Sequence, residues 1–235
     1  MILQSFSLAL GQLGDPRFRR VLLLGLALTI LLLIAATAGF GWLIGFLVGD
    51  DATLPLIGEV TWLGDLASWT SLVVMMVLSV FLMVPVASAI TSMFLDEVAQ
   101  AVEDKHYPGL PDVPGVPFGD ALRDTVNFLG VLIGANIVAL LLYVMFPPLA
   151  PLIFWALNGF LLGREYFMLA AMRRVGRTRA KQLRAQYSTT IWVAGTLMAI
   201  PLSIPLINLL IPILGAATFT HIFHKVQARA GDAPA

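Results

Sequence analysis

Four long uncharged runs dominate the pattern of apolar and polar positions: 21–49, 66–95, 125–163 and 185–220. The first two each exceed the ~20 residues that an α-helix needs to cross a ~30 Å hydrocarbon core. Neither of these two contains a proline-rich break near its middle that would divide it into separate helices. The pattern therefore predicts two membrane-spanning helices, at 21–49 and 66–95.

The other two runs contain helix-breaking prolines. These are Pro147, Pro148 and Pro151 in the third run, and Pro201, Pro205 and Pro212 in the fourth. Proline removes a backbone donor and ends or kinks a helix. The resulting arms are short, about 18 Å for residues 152–163. We predict two helical hairpins, 125–163 and 185–224, that penetrate the membrane only partway. Broken backbone at that depth must be sheltered by protein or line a water-filled cavity, so we also expect a homo-oligomer or a pore.

Composition places the chain among membrane proteins. Hydrophobic residues make up 59% of its 235 residues and charged residues only 12%, about half the charged fraction of a soluble domain. The predicted fold class is an all-α integral membrane protein, with residues 1–235 forming a single membrane domain in a lipid bilayer. The net charge is zero, so nothing favours a nucleic-acid partner, and the absence of cysteine excludes disulfides and thiolate metal sites.

The distribution of charge predicts the orientation. Residues 50–65 carry acids and no base, whereas residues 164–184, a predicted basic cytoplasmic helix, are rich in arginine. If both hairpins enter and leave by one face, all fourteen Lys and Arg lie on the same side of the membrane. That is the positive-inside pattern, and it predicts a multi-pass protein with both termini in the cytoplasm.

A cluster of arginines precedes the first uncharged run. Arg17, Arg19 and Arg20 follow Pro16, a residue well tolerated at a helix start. Exposed N–H groups at a helix start and forked guanidinium groups both suit a sulfate or phosphate anion. The alternative interpretation is that these arginines only anchor the helix at the cytoplasmic surface.

The chain resembles the CysZ-type sulfate permeases, bacterial inner-membrane proteins associated with sulfate uptake for cysteine synthesis. The likeness covers nearly the whole chain and is carried by PRFRR at 16–20, NGFLLGREYF at 158–167 and PLINLLIPILGAA at 205–217. It implies two long spanning helices, two partly penetrating hairpins, an oligomer and sulfate as the transported ion. It also implies that Arg19 and Arg20 bind the anion, with Arg17 adjacent. This chain differs from the commoner Gly-Leu-Arg form by placing Asp15 and Pro16 nearby.

Four polar residues lie within or beside the broken apolar runs: Asn158, Arg164, Glu165 and Asn208. Ionisable and amide side chains at membrane depth need partners and mark functional positions, so all four are candidates for a pore or a gate. Packing between helices would explain the two asparagines as well. An ion pair, or an Arg164 side chain that reaches the interface, would explain the other two.

The remaining candidates for chemistry are weak. His221 and His224 are three residues apart, but no third metal ligand is apparent, so we interpret them as a pair at the membrane interface. The basic stretch 173–184 suits anionic lipid headgroups better than an anion funnel. We find no nucleotide-binding loop and no catalytic triad, and expect neither an enzyme nor a cofactor. The alternative to a sulfate permease is a membrane scaffold or assembly protein that transports nothing.

Overall fold

The computed structural model describes residues 1–48, 53–54, 58–59, 94–111, 113 and 118–231. The helices within these ranges are α1 (Ile2–Gly11), α2 (Pro16–Val48), α3 (Leu95–His106), α4 (Phe118–Met145), α5 (Ala150–Gln186), α6 (Ser188–Ala199), α7 (Pro205–Asn208) and α8 (Ile211–Arg229). Two short strands, β1 (Thr53–Leu54) and β2 (Gly58–Glu59), pair antiparallel with Thr53 opposite Glu59. The predicted all-α fold class is confirmed, with this two-residue ladder as a minor addition.

Two described helices are long and apolar enough to cross a membrane: α2 over Pro16–Ala35 and α4 over Val126–Met145. The second predicted span, 66–95, lies outside the described residues except for its last two. Helix α4 buries only 6% of its apolar window. A helix that exposes apolar side chains all round is suited to lipid rather than to water.

A proline turn separates α4 from α5, where the sequence places the first breaker. Residues Pro147–Leu149 form one turn of 3-10 helix, and the N–H of Leu149 donates to the carbonyl of Phe146 at 3.0 Å. Two consecutive prolines lack the N–H groups that would continue α4, so the helix ends there. The two helices pack against each other beyond the turn.

Helix α5 extends across the predicted boundary between the first hairpin and the basic helix. Its helical turns continue through Gly163 and Arg164, and the range Ala150–Gln186 consists of two helical parts that are separated at Gly176. The sequence there changes from apolar to charged, but nothing in it removes a backbone hydrogen bond. The chain instead departs from helical geometry at Gly176, where φ is 71° and ψ is 170°. Glycine adopts that left-handed φ without a steric penalty.

The chain reverses direction at Gly176. Close contacts join Gly159 to Thr196 and Gly163 to Ile191, and the midpoint in sequence of each contact lies within two residues of Gly176. Helix α6 therefore packs mainly on the first part of α5 and much less on α8. Within the predicted hairpin 185–224, the 3-10 helix Ile200–Ser203 and α7 form a turn, and the arm before this turn packs chiefly on α5. Glycines let two apolar helices approach closely, which explains this choice of partner.

Helix α8 forms the centre of the described fold. Every residue from Ile211 to His224 is buried, and the helix packs against α5, α3 and α1. Aromatic pairs fix α5 beside it, with ring centroids 6.2 Å apart for Tyr166 and Phe219. At its far end, the Lys225 ammonium group donates to the side chains of Gln4 and Ser5 at 3.1 Å, which holds α1 in place.

The tips of the two helical turns lie at the same end of the bundle. The indole N–H of Trp155, just after the first turn, donates to the hydroxyl of Ser203 in the second, at 3.4 Å. The charged side chains of α3 and of the later part of α5 gather at the opposite end, as the ion pairs of Glu103 with Arg173 and Arg174 show. The two apolar turns and the charged side chains thus lie at opposite ends of the helical bundle.

Candidate functional site

Asp15 caps the start of α2. One of its carboxylate oxygens accepts the backbone N–H of Arg17 at 2.9 Å, and the other accepts the amide N–H of Gln12 at 3.0 Å. The Gln12 amide group also donates to the carbonyl of Ala101 in α3, at 3.0 Å. A side-chain oxygen at this position satisfies a helix N–H that would otherwise lack a partner. The carboxylate of Asp15 therefore stabilises the start of α2.

The three arginines at this helix start have different environments. Arg17 pairs with Asp104 of α3, and both side chains are about half exposed. This hydrogen bond from Arg17 holds the pKa of Asp104 below its usual value. Arg19 and Arg20 are exposed, and within the described part of the chain their guanidinium groups have no hydrogen-bond or ion-pair partner. Two cations with no counter-ion among the described residues thus lie within the first five residues of α2.

Three of the four pore or gating candidates lie on α5, and the fourth lies on α7. The Asn158 amide donates to the carbonyl of Phe154, one turn earlier in its own helix, at 2.8 Å. Arg164 lines a pocket between α5 and α6. Glu165 is partly buried next to Tyr166, and Asn208 is the last residue of α7. Their proposed role in a pore stays a prediction.

The strongest electrostatic feature is a buried carboxylate, Glu103, which the sequence analysis did not single out. Its side chain is 1% exposed. Two guanidinium nitrogens of Arg174 donate to its carboxylate oxygens at 2.9 and 2.6 Å, and a guanidinium nitrogen of Arg173 lies 3.3 Å from the carboxylate. His224 approaches from α8, with its Nε2 atom 3.0 Å from the carboxylate. One acid of α3 thereby connects α5 and α8.

The ionisation of Glu103 is set by two opposing effects. Burial by itself would raise its pKa, but the hydrogen bonds from His224 and Arg174 and the charge of Arg173 prevail and lower it to about 2. A buried carboxylate held by two guanidinium groups stays charged because they stabilise the ionised form. Glu103 is therefore an anion at every physiological pH.

An aromatic and histidine layer covers this ion cluster. The ring of Tyr107 stacks on His224 at 4.1 Å between centroids, and its hydroxyl lies 2.9 Å from Nδ1 of His221. Burial lowers the pKa of His221 to about 3, helped by the nearby charges of His106, Lys225 and His224. Burial, together with Glu103, raises the pKa of Tyr107 to about 12. The hydrogen bond between them therefore joins a neutral tyrosine to a neutral histidine. The predicted interfacial pair His221 and His224 is buried instead.

This arrangement predicts a pH dependence of stability between pH 7 and pH 5. Because the pKa of His221 is lowered on folding, the unfolded chain binds the proton more readily below pH 6.5, and stability falls with pH. At about 1.4 kcal/mol per pH unit, up to about 2 kcal/mol is lost by pH 5. Glu103 does not add to this loss of stability above pH 5. Its pKa is lowered from 4.5 on folding, so the stability that its ionised form provides begins to fall only near pH 4.5.

Thermal unfolding of the purified protein at pH 7, 6 and 5 measures this effect. The His221→Phe variant lacks the titrating group, so its melting temperature should change less over that range. The two proteins are compared by the slope of their melting temperature against pH, because the variant also loses the Tyr107 contact and starts from a lower stability. Equal slopes in the two proteins would contradict the assignment.

A signal for Glu103 was present in the sequence. Leu95, Ala99 and Glu103 recur every four residues and share one helical face, and Val98 and Val102 flank them. An acid on an otherwise apolar face indicates a buried, paired charge. The partners, Arg173 and Arg174, are some 70 residues away, so no local pattern identifies them. The described residues contain no cluster of three or more His, Asp or Glu that could hold a metal.

A comparison with known protein families gives a match over most of the chain. A family model described as sulfate transporter CysZ/etoposide-induced protein 2.4 matches residues 5–212, which is most of the chain. The matched range contains Arg19, Glu103 and Arg174, and stops before His221 and His224. A search of curated proteins returned no match.

Proposed function

The chain belongs to the family of sulfate transporter CysZ and etoposide-induced protein 2.4, and on that premise we propose that it is a sulfate permease. In this proposal it carries sulfate across the bacterial inner membrane for cysteine biosynthesis, as a homo-oligomer in the lipid bilayer. Arg19 and Arg20 receive the anion at the cytoplasmic start of α2.

The geometry of the helix start supports this role for Arg19 and Arg20. Both are exposed and neither has an internal counter-ion among the described residues. They lie at the positive end of a helix of 33 residues. The carboxylate of Asp15 accepts hydrogen bonds from the backbone of Arg17 and from the side chain of Gln12, which reduces its repulsion of an incoming dianion. Because Arg17 pairs with Asp104, we assign the anion to the other two arginines.

The arrangement of the helices supports hairpins that enter and leave by one face. Both turns lie at one end of the bundle, linked by Trp155 and Ser203, and the charged residues lie at the other. The apolar part of α6 is 12 residues long, about 18 Å, which is too short to cross a ~30 Å core. We therefore place the basic end and both termini in the cytoplasm, in keeping with the positive-inside rule.

Sulfate flux into liposomes tests the proposal. The wild-type protein should carry sulfate faster than empty vesicles do. Arg19→Gln and Arg20→Gln should each lower the flux about tenfold or more, because a charge-assisted hydrogen bond contributes about 1.5–3 kcal/mol. Arg229→Gln is the matched control, since it removes one exposed cation far along the chain from this helix start, and it should leave the flux unchanged.

Two results would contradict this function. Flux through the wild-type protein equal to that of empty vesicles would favour the alternative, a membrane scaffold that transports nothing. Flux that survives both Arg19→Gln and Arg20→Gln would show that the anion binds elsewhere. Folding of each variant is checked by its melting temperature, which these exposed substitutions should barely change.

A further inference from the structure

A pocket of about 350 Å³ lies between α5 and α6, away from the arginines of α2. It is lined by Phe160, Arg164, Arg184, Ala185, Ser188, Thr189, Ile191 and Trp192. Polar and apolar residues therefore share one cavity. None of these described lining residues is acidic, and two of them, Arg164 and Arg184, are arginines.

The polar part of the pocket is suited to an oxyanion. Arg164 and Arg184 bring two guanidinium groups from separate stretches of α5 to the same cavity. Ser188 and Thr189 form the first turn of α6, where backbone N–H groups point out of the helix. Their hydroxyl groups are exposed and make no hydrogen bond to any described residue. Guanidinium and hydroxyl donors around one cavity match the acceptors of a phosphate or sulfate group.

The apolar part of the pocket continues onto the outer surface of the bundle. Phe160 is 44% exposed and Trp192 is 47% exposed. The indole N–H of Trp192 donates to the carbonyl of Ala156 at 2.9 Å, which fixes the ring across α5. Toward the tips, Leu152 and Leu197 extend the exposed apolar surface of the same two helices. Tryptophan at such a boundary is typical of the membrane interface.

These two parts fit an amphiphile better than a small ion. We propose that this pocket binds the phosphate group of an anionic phospholipid, whose acyl chains lie along the exposed apolar surface of α5 and α6. A free inorganic anion would use the arginines and hydroxyls but would leave the aromatic walls exposed. A lipid fits both parts of the pocket, because its phosphate group can accept from the arginines and hydroxyls and its acyl chains can cover the aromatic walls. Its net negative charge also complements the two cations.

Thermal stability in the presence of short-chain lipids tests the proposal. The full chain, purified in a neutral detergent, is mixed with dioctanoyl phosphatidylglycerol, with dioctanoyl phosphatidylcholine, with inorganic phosphate or with sulfate. A ligand that binds only the folded protein raises the melting temperature. We expect phosphatidylglycerol to raise it by about 4 °C or more, and phosphatidylcholine to do less because its ammonium group is repelled by the arginines.

Substitutions locate the effect. The double variant Arg164→Gln, Arg184→Gln should lose most of the shift caused by phosphatidylglycerol. Arg179→Gln removes a cation from the same helix but outside the pocket lining, and should keep the full shift. Thr189→Val preserves the size of the side chain and removes a donor, so it should reduce the shift even if the double variant does not fold.

Three results would overturn the proposal. The first is no shift with phosphatidylglycerol, and the second is an equal shift in Thr189→Val, the double variant and the wild type. The third is a shift with inorganic phosphate or sulfate as large as that with lipid and lost in the same variants, since the pocket would then bind a free oxyanion. None of these depends on sulfate flux, so the lipid site and the permease function stand or fall separately.

Discussion

Glu103→Gln should lower the melting temperature of the protein by about 10 °C or more. The substitution keeps the shape of the side chain but leaves Arg173 and Arg174, whose side chains are 8% and 5% exposed, without their counter-ion. Removing one member of a buried ion pair costs about 3–5 kcal/mol, because the remaining charge is stranded in a low-dielectric environment. Each kcal/mol corresponds to about 2–4 °C for a chain of this length.

The next residue supplies the control. Asp104→Asn removes the same charge from the same helix, but the pair of Asp104 with Arg17 is about half exposed. An exposed pair contributes about 0–1 kcal/mol, so this variant should change the melting temperature by at most a few degrees. Both proteins are compared by thermal unfolding in one detergent. Similar losses in the two variants would mean that Glu103 does not hold α3, α5 and α8 together.

Gly195→Ala should also destabilise the protein strongly. A Cβ atom at this position would overlap the carbonyl oxygen of Gly159 and lie 2.8 Å from the backbone N of Gly163. Since backbone atoms on a packed helix cannot rotate away as a side chain can, α5 and α6 must separate. Overpacking of this kind costs about 1–3 kcal/mol or more, and the loss is measured as a lower melting temperature.

A glycine in open space gives a control of the opposite sign. Apart from its chain neighbours and the backbone of its own helix, no heavy atom of the described structure lies within 4 Å of a Cβ placed on Gly134 of α4. Alanine is the better helix former by about 1 kcal/mol, so Gly134→Ala should leave stability unchanged or raise it slightly. If Gly195→Ala behaved in the same way, the close packing of α5 on α6 would be wrong.

The order of helices follows from simple features of the sequence. Uncharged runs predict α2 and α4, and the double proline at 147–148 predicts the turn that begins α5. The change from apolar to charged residues at Arg164 does not end a helix, and the basic stretch is divided at Gly176 instead. The reversal at Gly176 depends on a single backbone angle, and glycine is compatible with that angle without requiring it.

Local sequence patterns do not identify the ion-pair partners of the charged residues. Arg173 and Arg174 belong to the basic stretch that the sequence assigns to lipid headgroups, yet both turn inward onto Glu103. Arg164 and Arg184 of the same region line a pocket instead. Which cations turn inward depends on an acid about 70 positions earlier in the chain. The arginines at the start of α2 were easier to find because their neighbours, Asp15 and Pro16, are adjacent in sequence.

The central position of α8 constrains how the protein is made. The ribosome synthesises this helix after every other described element, yet α1, α3 and α5 all pack on it. Until residues 211–229 emerge, Glu103 has no histidine beside it and the aromatic faces of α5 have nothing to cover them. Before then α5 and α6 can pack on each other, but α1 and α3 lack the helix on which both of them pack. Assembly of this bundle is completed from the carboxyl end, and a ribosome that stalls before residue 211 leaves a chain that cannot close its core.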